Sequence, residues 1–106
     1  MGPDILFDVA TPLGFTVRCT REYWKFLISV KHPVLSGHEM EVQQALADPQ
    51  EIRRSRQDKD VYLFYRGNEP RWICAVARHE GQEGFLITAY PADKIKMGDA
   101  VWTKSK

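Results

Sequence analysis

Residues 61–91, VYLFYRGNEPRWICAVARHEGQEGFLITAYP, determine the fold of this chain. Three apolar runs, at 61–66, 72–78 and 85–90, are separated by short connections that contain glycine and other turn-forming residues. The first run alternates between two faces, and the other two are apolar on both faces, as central strands are. Strands joined by such tight connections are typical of an antiparallel meander.

A strand hairpin and a helix are predicted at the start of the chain. Residues 5–9 and 15–19 have the pattern of two short strands around a Thr-Pro-Leu-Gly turn. Thr20 is a suitable N-cap for a helix that Pro33 ends near Lys31. Four apolar residues then recur at the spacing of one helix face: Tyr23, Phe26, Leu27 and Val30.

A second helix is predicted between the first helix and the meander. Ser36 and Glu39 stand at the spacing of a capping box, in which the serine oxygen accepts from a free N–H of the first turn. Its inner face would contain Val42, Ala45 and Leu46, and Asp48-Pro49 would end it. The polar residues 53–59 predict an exposed connection or an edge segment.

The fold class predicted from these elements is α+β, in one domain that spans residues 1–106 with its core at about 20–102. It consists of an N-terminal strand hairpin, two helices and an antiparallel β-meander of three or more strands. The helices would cover one face of the sheet and leave the other face, or its rim, free to bind. Residues 93–96 predict a single turn, and 100–102 return to the body of the protein.

Composition and motifs exclude several classes of protein. The first four residues lack the basic start of a signal peptide, and no apolar run is long enough for a membrane span. Cys19 and Cys74 lack metal-site spacing, which favours two buried thiols in a cytoplasmic protein. No metal or nucleotide motif is present, so we expect no metal and no cofactor. The formal net charge of +1 means that any nucleic-acid site is a local basic groove.

Three residues could carry acid–base or phosphate chemistry. His32 follows the C-terminal end of the first helix, where the helix dipole favours a cation. Thr88 and Tyr90 are two apart on one predicted strand, so their side chains share a face and could both donate to a phosphate. Packing is the alternative role for both strand residues, and His-Pro could equally be a turn that ends a helix.

Basic residues near these positions could bind phosphates. Arg66 and Arg78 each end a strand, and either could present a bidentate fork; the residues alone do not choose between them. The other candidates follow the last strand or precede the meander: Lys94, Lys96, Arg53 and Arg54. Inside the predicted strands, the one carboxylate is that of Asp8.

This set of residue types can cleave RNA without a metal. A base removes the 2′-hydroxyl proton, cations stabilise the phosphorane, and an acid protonates the leaving 5′-oxygen. The RNA supplies its own nucleophile, so no reactive side chain is required.

The pattern of short motifs resembles a known group of proteins over residues 20–102. Lys31-His32-Pro33, Tyr65-Arg66 and Thr88-Ala89-Tyr90, with a closing Trp102, resemble small bacterial and phage domains of the barnase–EndoU–colicin–RelE (BECR) nuclease superfamily. That superfamily is held together by fold more than by sequence.

The resemblance implies metal-independent ribonuclease activity, often that of a toxin. A helix-associated histidine, a basic residue of the sheet and a Thr or Tyr of the last strand would line the cleft. The partners implied are RNA, with tRNA as one substrate, and a cognate inhibitor or antitoxin protein. Two alternatives stay open: an RNA- or protein-binding domain without catalysis on this scaffold, and a phage-derived structural domain.

Overall fold

The computed structural model describes residues 4–95 and 97–104. In these ranges the chain is α+β, with two α-helices and one seven-stranded sheet in the order β1-β2-β6-β5-β4-β3-β7, which confirms the predicted fold class. The strands are β1 (Ile5–Ala10), β2 (Thr16–Thr20), β3 (Glu51–Arg54), β4 (Val61–Asn68), β5 (Arg71–Glu80), β6 (Glu83–Ala92) and β7 (Asp99–Thr103). The helices are α1 (Arg21–Phe26) and α2 (Glu39–Ala47).

The meander and the N-terminal hairpin are both confirmed. β4, β5 and β6 pair in antiparallel order, and so do β1 and β2. The hairpin joins the meander through a parallel contact that we did not predict, in which β2 residues Thr16, Val17 and Arg18 pair with residues 83–85 of β6. The sheet is therefore mixed. Periodicity identifies strands but does not say which strands become neighbours.

Helix α1 begins as predicted but presents a different face to the core. The Thr20 hydroxyl accepts from the Tyr23 N–H at 3.0 Å and caps the helix. Trp24 and Leu27 are buried, whereas the predicted inner residues Phe26 and Val30 are 44% and 66% exposed. That prediction was wrong for these two residues, of which Val30 lies in a segment that departs from α-helical geometry.

After Phe26 the helix widens into a π-helical segment, Leu27–Lys31. The His32 N–H donates to the Leu27 carbonyl at 2.7 Å, a bond that spans five residues instead of four. The wider turn shifts the phase of every side chain that follows it. The predicted end at Lys31 is confirmed, and a short 3₁₀ turn, Pro33–Leu35, follows.

Helix α2 has the predicted inner face but not the predicted cap. Val42, Ala45 and Leu46 are fully buried. The N-cap is His38, and its side chain makes no capping hydrogen bond, so the capping box was wrong. The reason is that Ser36 already ends the preceding 3₁₀ turn, where its N–H donates to the Pro33 carbonyl.

The segment predicted as an exposed connection begins inside the sheet. β3 pairs with β4 on one side and with β7 on the other, and Ile52 at its centre is fully buried. The prediction was wrong for Arg53 and Arg54, which are strand residues. The polar sequence hid the strand. In the structure the Arg53 guanidinium bonds Glu51, two residues earlier in the same strand, at 2.6 Å.

Both faces of the sheet are partly covered. The two helices lie on one face, called here the helix face, over the main core, which includes Phe64, Ala75 and Ala89. The connection from β6 to β7 runs over the opposite face, called here the crossover face. Ile95 packs there on a second cluster made of Leu63, Tyr65, Cys74 and Val76. The expectation that this face is free was therefore wrong for its middle part.

Other sequence predictions concern single features. Cys19 and Cys74 are both buried and unbridged, as predicted. Residues 93–95 bend without forming a helical turn, and Lys96 lies outside the described residues. In the part of the chain that the structure describes, no helix has the length and apolar character needed to cross a membrane.

The turn between β4 and β5 requires glycine at position 67. Its φ is +135°, and a Cβ there would lie 2.3 Å from the Arg71 carbonyl oxygen. We expect Gly67→Ala to lower the free energy of unfolding by about 2 kcal/mol or more, since strain and a backbone clash add. Gly81→Ala is the control, because φ is +63° but a Cβ would meet no atom within 4 Å. Equal losses in denaturant unfolding would contradict this account.

Candidate functional site

The structure brings two of the predicted site residues together. His32, at the end of the π-helical segment, lies beside Tyr90 of β6, with ring centroids 6.0 Å apart and ring planes at 42°. The imidazole is only partly buried. The helix end and the last strand of the meander therefore meet as the sequence predicted, at the point where β6 has left its partner β2.

Tyr90 belongs to a row of side chains that crosses the sheet. On the crossover face Tyr90 pairs with Cys74 of β5, Cys74 with Tyr65 of β4, and Tyr65 with Glu51 of β3. We call Tyr90, Cys74, Tyr65 and Glu51 the cross-strand row. The Tyr65 and Tyr90 phenols and the Cys74 thiol lie close enough on this face to affect one another's pKa values. The imidazole of His32 thus stands at one end of a continuous polar row.

The hydroxyls and the thiol of this row are neutral near physiological pH. Burial raises the pKa of Tyr65 to about 12 and that of Cys74 to about 11. Burial, and then the neighbouring Cys74, also raise the pKa of Tyr90. Groups that hold their protons serve as hydrogen-bond donors rather than as bases. The row can therefore donate to an anion, while Cys74 is not a nucleophile.

Two further donors lie on the same face without a partner. The Thr88 hydroxyl and the Trp72 indole N–H are both buried, and neither has a hydrogen-bond partner within the described residues. Thr88 pairs with Val76 and is two residues from Tyr90 on β6. Buried donors without partners are uncommon in folded proteins, and a bound water, ion or ligand is one explanation for them. Both lie on strands that also supply members of the row.

Sequence reasoning missed Glu51, because we expected no carboxylate inside a strand except Asp8. Glu51 lies in β3 on the crossover face and bonds the Arg53 guanidinium at 2.6 Å. The same guanidinium donates to the Gly98 carbonyl at 3.2 Å and so ties the crossover to the sheet. Polar residues flanking the apolar Ile52 were the signal that could have revealed this strand.

Arg53 is the sheet arginine nearest the cross-strand row. Its side chain is 24% exposed. Its positive charge lowers the pKa of Tyr65, an effect smaller than the rise caused by burial. Arg54, the next residue, points to the helix face, donates to the Tyr62 hydroxyl at 2.7 Å and lies over its ring. The two neighbouring arginines therefore serve different faces.

Arg66 lies away from the imidazole and is held by α2. It donates to the Asp48 carbonyl at 2.7 Å and to the Asp48 carboxylate at 3.0 Å, on the helix face. Lys104 bonds the other oxygen of that carboxylate at 2.9 Å. Lys104 first, and then Arg66, hold the pKa of Asp48 below its usual range. The structure thus places Arg66 in a surface ion network.

Arg78 lies on the crossover face, as Thr88 does, but its side chain is directed toward the residues that precede β4. It bonds Asp58 at 2.5 Å, and Asp60 and Glu80 lie at 3.8 and 3.4 Å. Asp58 and Asp60 precede β4, which flanks β5 on the side opposite to β6. The guanidinium is therefore directed away from Thr88, and three carboxylates surround it.

The remaining candidates differ in position. Lys94 is exposed four residues after Tyr90, at the start of the crossover, and Lys96 lies outside the described residues. His38 is exposed and bonds Glu41. His79 stacks on Phe15 with ring centroids 4.1 Å apart, which is a packing role. His32 is therefore the histidine at the cross-strand row.

Neither a metal cluster nor a relative identifies the site. Within residues 4–95 and 97–104, no three His, Cys, Asp or Glu side chains group as metal ligands. Comparison of the chain with protein-family models, with curated proteins and with solved structures finds no match. The geometry of the side chains is thus the basis for assigning a function.

Raised tyrosine pKa values predict a specific alkaline behaviour. The folded pKa values of Tyr65 and Tyr90 lie above the ordinary value of 10.0, so the neutral phenols stabilise the fold below that pH. This contribution is lost as the pH rises above about 10. We expect Tyr90→Phe to reduce the alkaline fall in melting temperature and to remove the last phase of phenolate absorbance. If Tyr90→Phe instead removed a phase of phenolate absorbance at about pH 10, the ordinary pKa of tyrosine, the burial of Tyr90 would be contradicted.

Proposed function

We propose that this chain is a metal-independent endoribonuclease of the BECR kind that cleaves RNA by attack of the 2′-hydroxyl. The observation that carries the proposal is the approach of the His32 imidazole to Tyr90, with the Thr88 hydroxyl on the same strand face. This reaction uses a group that carries a proton and neutral donors that bind the phosphate, and an imidazole beside a phenol and a hydroxyl provides both.

The reaction needs a proton carrier and donors for the phosphate. The 2′-oxygen attacks phosphorus, the bond from phosphorus to the 5′-oxygen breaks, and the 2′-hydroxyl proton ends on the 5′-oxygen. The products are a 2′,3′-cyclic phosphate and a 5′-hydroxyl end. His32 carries the proton, because one ring nitrogen of an imidazole can accept a proton and later donate it. Thr88 and Tyr90 donate hydrogen bonds to the non-bridging oxygens.

Of the sheet arginines, we assign to Arg53, rather than to Arg66 or Arg78, a contact with the RNA backbone farther along the crossover face, because β3 is three strands from Tyr90 on β6. Arg53 lies on the crossover face near Tyr65, whereas Arg66 is held by Asp48 on the helix face. Arg78 is surrounded by carboxylates and directed away from Thr88. Lys94, which is exposed at the start of the crossover, would hold the backbone of the RNA beyond the last strand. Toxin action and an inhibitor partner remain part of the same proposal.

Removal of the His32 imidazole tests the chemistry. We expect His32→Ala to lower the rate of RNA cleavage by about 100-fold or more, the usual scale for loss of acid–base catalysis. Wild-type protein should cleave total RNA in EDTA and leave cyclic phosphate ends, as measured by gel electrophoresis and end-group analysis.

His38→Ala is the matched control, because His38 is exposed and its bond is to Glu41 rather than to a residue of the row. It should retain full activity. Equal activity of His32→Ala and wild type would contradict the mechanism. RNA that the wild-type protein binds but leaves intact would identify a binding domain without catalysis.

Two arginine variants separate the site from the surface network. We expect Arg53→Gln to reduce cleavage about tenfold at limiting RNA concentration, since a cation that contacts the RNA backbone is lost. Arg66→Gln should leave the rate unchanged and lower only the melting temperature, since its contacts are to Asp48. Arg53→Lys keeps the charge and should retain part of the activity. The reverse ranking of Arg53→Gln and Arg66→Gln would overturn the assignment.

A further inference from the structure

A pocket opens where β2 and β6 separate. The two strands pair from Thr16 to Arg18, and beyond that point β2 turns into α1 while β6 continues to Ala92. The wedge between them is a pocket of about 370 Å³. We call it the fork pocket. Its lining includes Arg18, Cys19, Tyr23, Phe85, Leu86 and Ile87.

The walls of the fork pocket favour a flat, largely apolar group. Tyr23 and Phe85 supply aromatic rings, and Phe85 is 42% exposed although it is a large hydrophobic residue. The Tyr23 hydroxyl donates to the Ile87 carbonyl, which holds α1 against the free part of β6. Aromatic rings exposed beside a pocket provide a surface on which nucleobases stack.

The fork pocket is in line with the cross-strand row. Ile87 lines the pocket, and Thr88 follows it directly on β6. At the rise of an extended strand, Ile87 and Tyr90 are about 10 Å apart. An RNA strand with a phosphate at Tyr90 would therefore bring a neighbouring base to the pocket. The same helical stretch supplies Tyr23 to the pocket and His32 to the row.

The charged side chains at the mouth of the pocket leave no excess of positive charge. Arg18 forms an ion pair with Glu83, and their side chains are 41% and 66% exposed. Glu80 and Glu83 line a smaller adjoining depression. A mouth without excess positive charge does not attract phosphates, so binding in the pocket itself would depend on stacking and burial rather than on charge.

We propose that the fork pocket binds one unpaired nucleobase next to the scissile phosphate, so that the substrate is single-stranded RNA. This inference rests on the proposed function. A base inside a duplex is stacked and paired and cannot enter a pocket bounded by Tyr23 and Phe85. The pocket therefore selects strands whose bases are free.

The test uses the full chain with His32→Ala, which binds without cleaving, and fluorescent RNA oligonucleotides. Single-stranded RNA should bind at least tenfold tighter than a duplex of the same sequence. One abasic position, one or two nucleotides from the scissile bond, should weaken binding about tenfold, which is the usual scale for loss of one stacked base. The loss should be the same at low and high salt.

Variants of Phe85 test whether the weaker binding of abasic RNA arises in the fork pocket. Phe85→Ala should weaken binding about tenfold and make it insensitive to the abasic position. Phe85→Tyr keeps the ring and should retain binding. Val101→Ala is the control, because Val101 is similarly exposed, at 45%, on the strand at the opposite edge of the sheet.

The outcomes separate this inference from the proposed function. If the wild type cleaved RNA with an abasic site at any position equally well, the base-binding role of the pocket would be overturned and the ribonuclease activity would stand. Base-dependent binding by the wild type without cleavage would overturn the nuclease and leave the pocket. Equal effects of Phe85→Ala and Val101→Ala would overturn the pocket as a base site, as would equal binding of duplex and single-stranded RNA.

Discussion

The short parallel contact between β2 and β6 is the constraint on which the rest of the structure depends. It joins the N-terminal hairpin to the meander through residues 16–18 and 83–85 and then ends. Because β2 turns away into α1, the last part of β6 has a helix rather than a strand beside it. That arrangement brings His32 to Tyr90 and opens the fork pocket. A longer β2 would pair with the last part of β6, which would separate His32 from Tyr90 and fill the fork pocket.

The candidate site depends on neutral donors more than on free charge. Burial keeps Tyr65 and Tyr90 protonated. Most arginine side chains described above are already paired with carboxylates or held by carbonyls, which agrees with a formal net charge of +1. In the proposed function, such a site would distinguish a phosphate by hydrogen-bond geometry rather than by a strong field. Tight positioning of the RNA would therefore matter more than long-range attraction.

The features of the fold that depend on residues close together in sequence could be predicted from the sequence. The three strands of the meander, the cap at Thr20 and the inner face of α2 follow from periodicity and turn chemistry, and the structure confirms them. The side chains of Thr88 and Tyr90 lie on one face of the sheet because successive side chains of a strand alternate between its two faces. The pairing of β2 with β6 depends on contacts far apart in sequence, which a periodic pattern does not encode.

The most direct test of the proposed site is an NMR titration with an RNA analogue that has a 2′-deoxy nucleotide at the scissile position. The signals to follow are those of the histidine and tyrosine rings. This analogue binds but has no nucleophile, so it reports the site without turnover. The account predicts shifts in the ring signals of His32 and Tyr90 and none in His38, which lies apart from the row. Binding that moves His38 and leaves His32 and Tyr90 unchanged would contradict it.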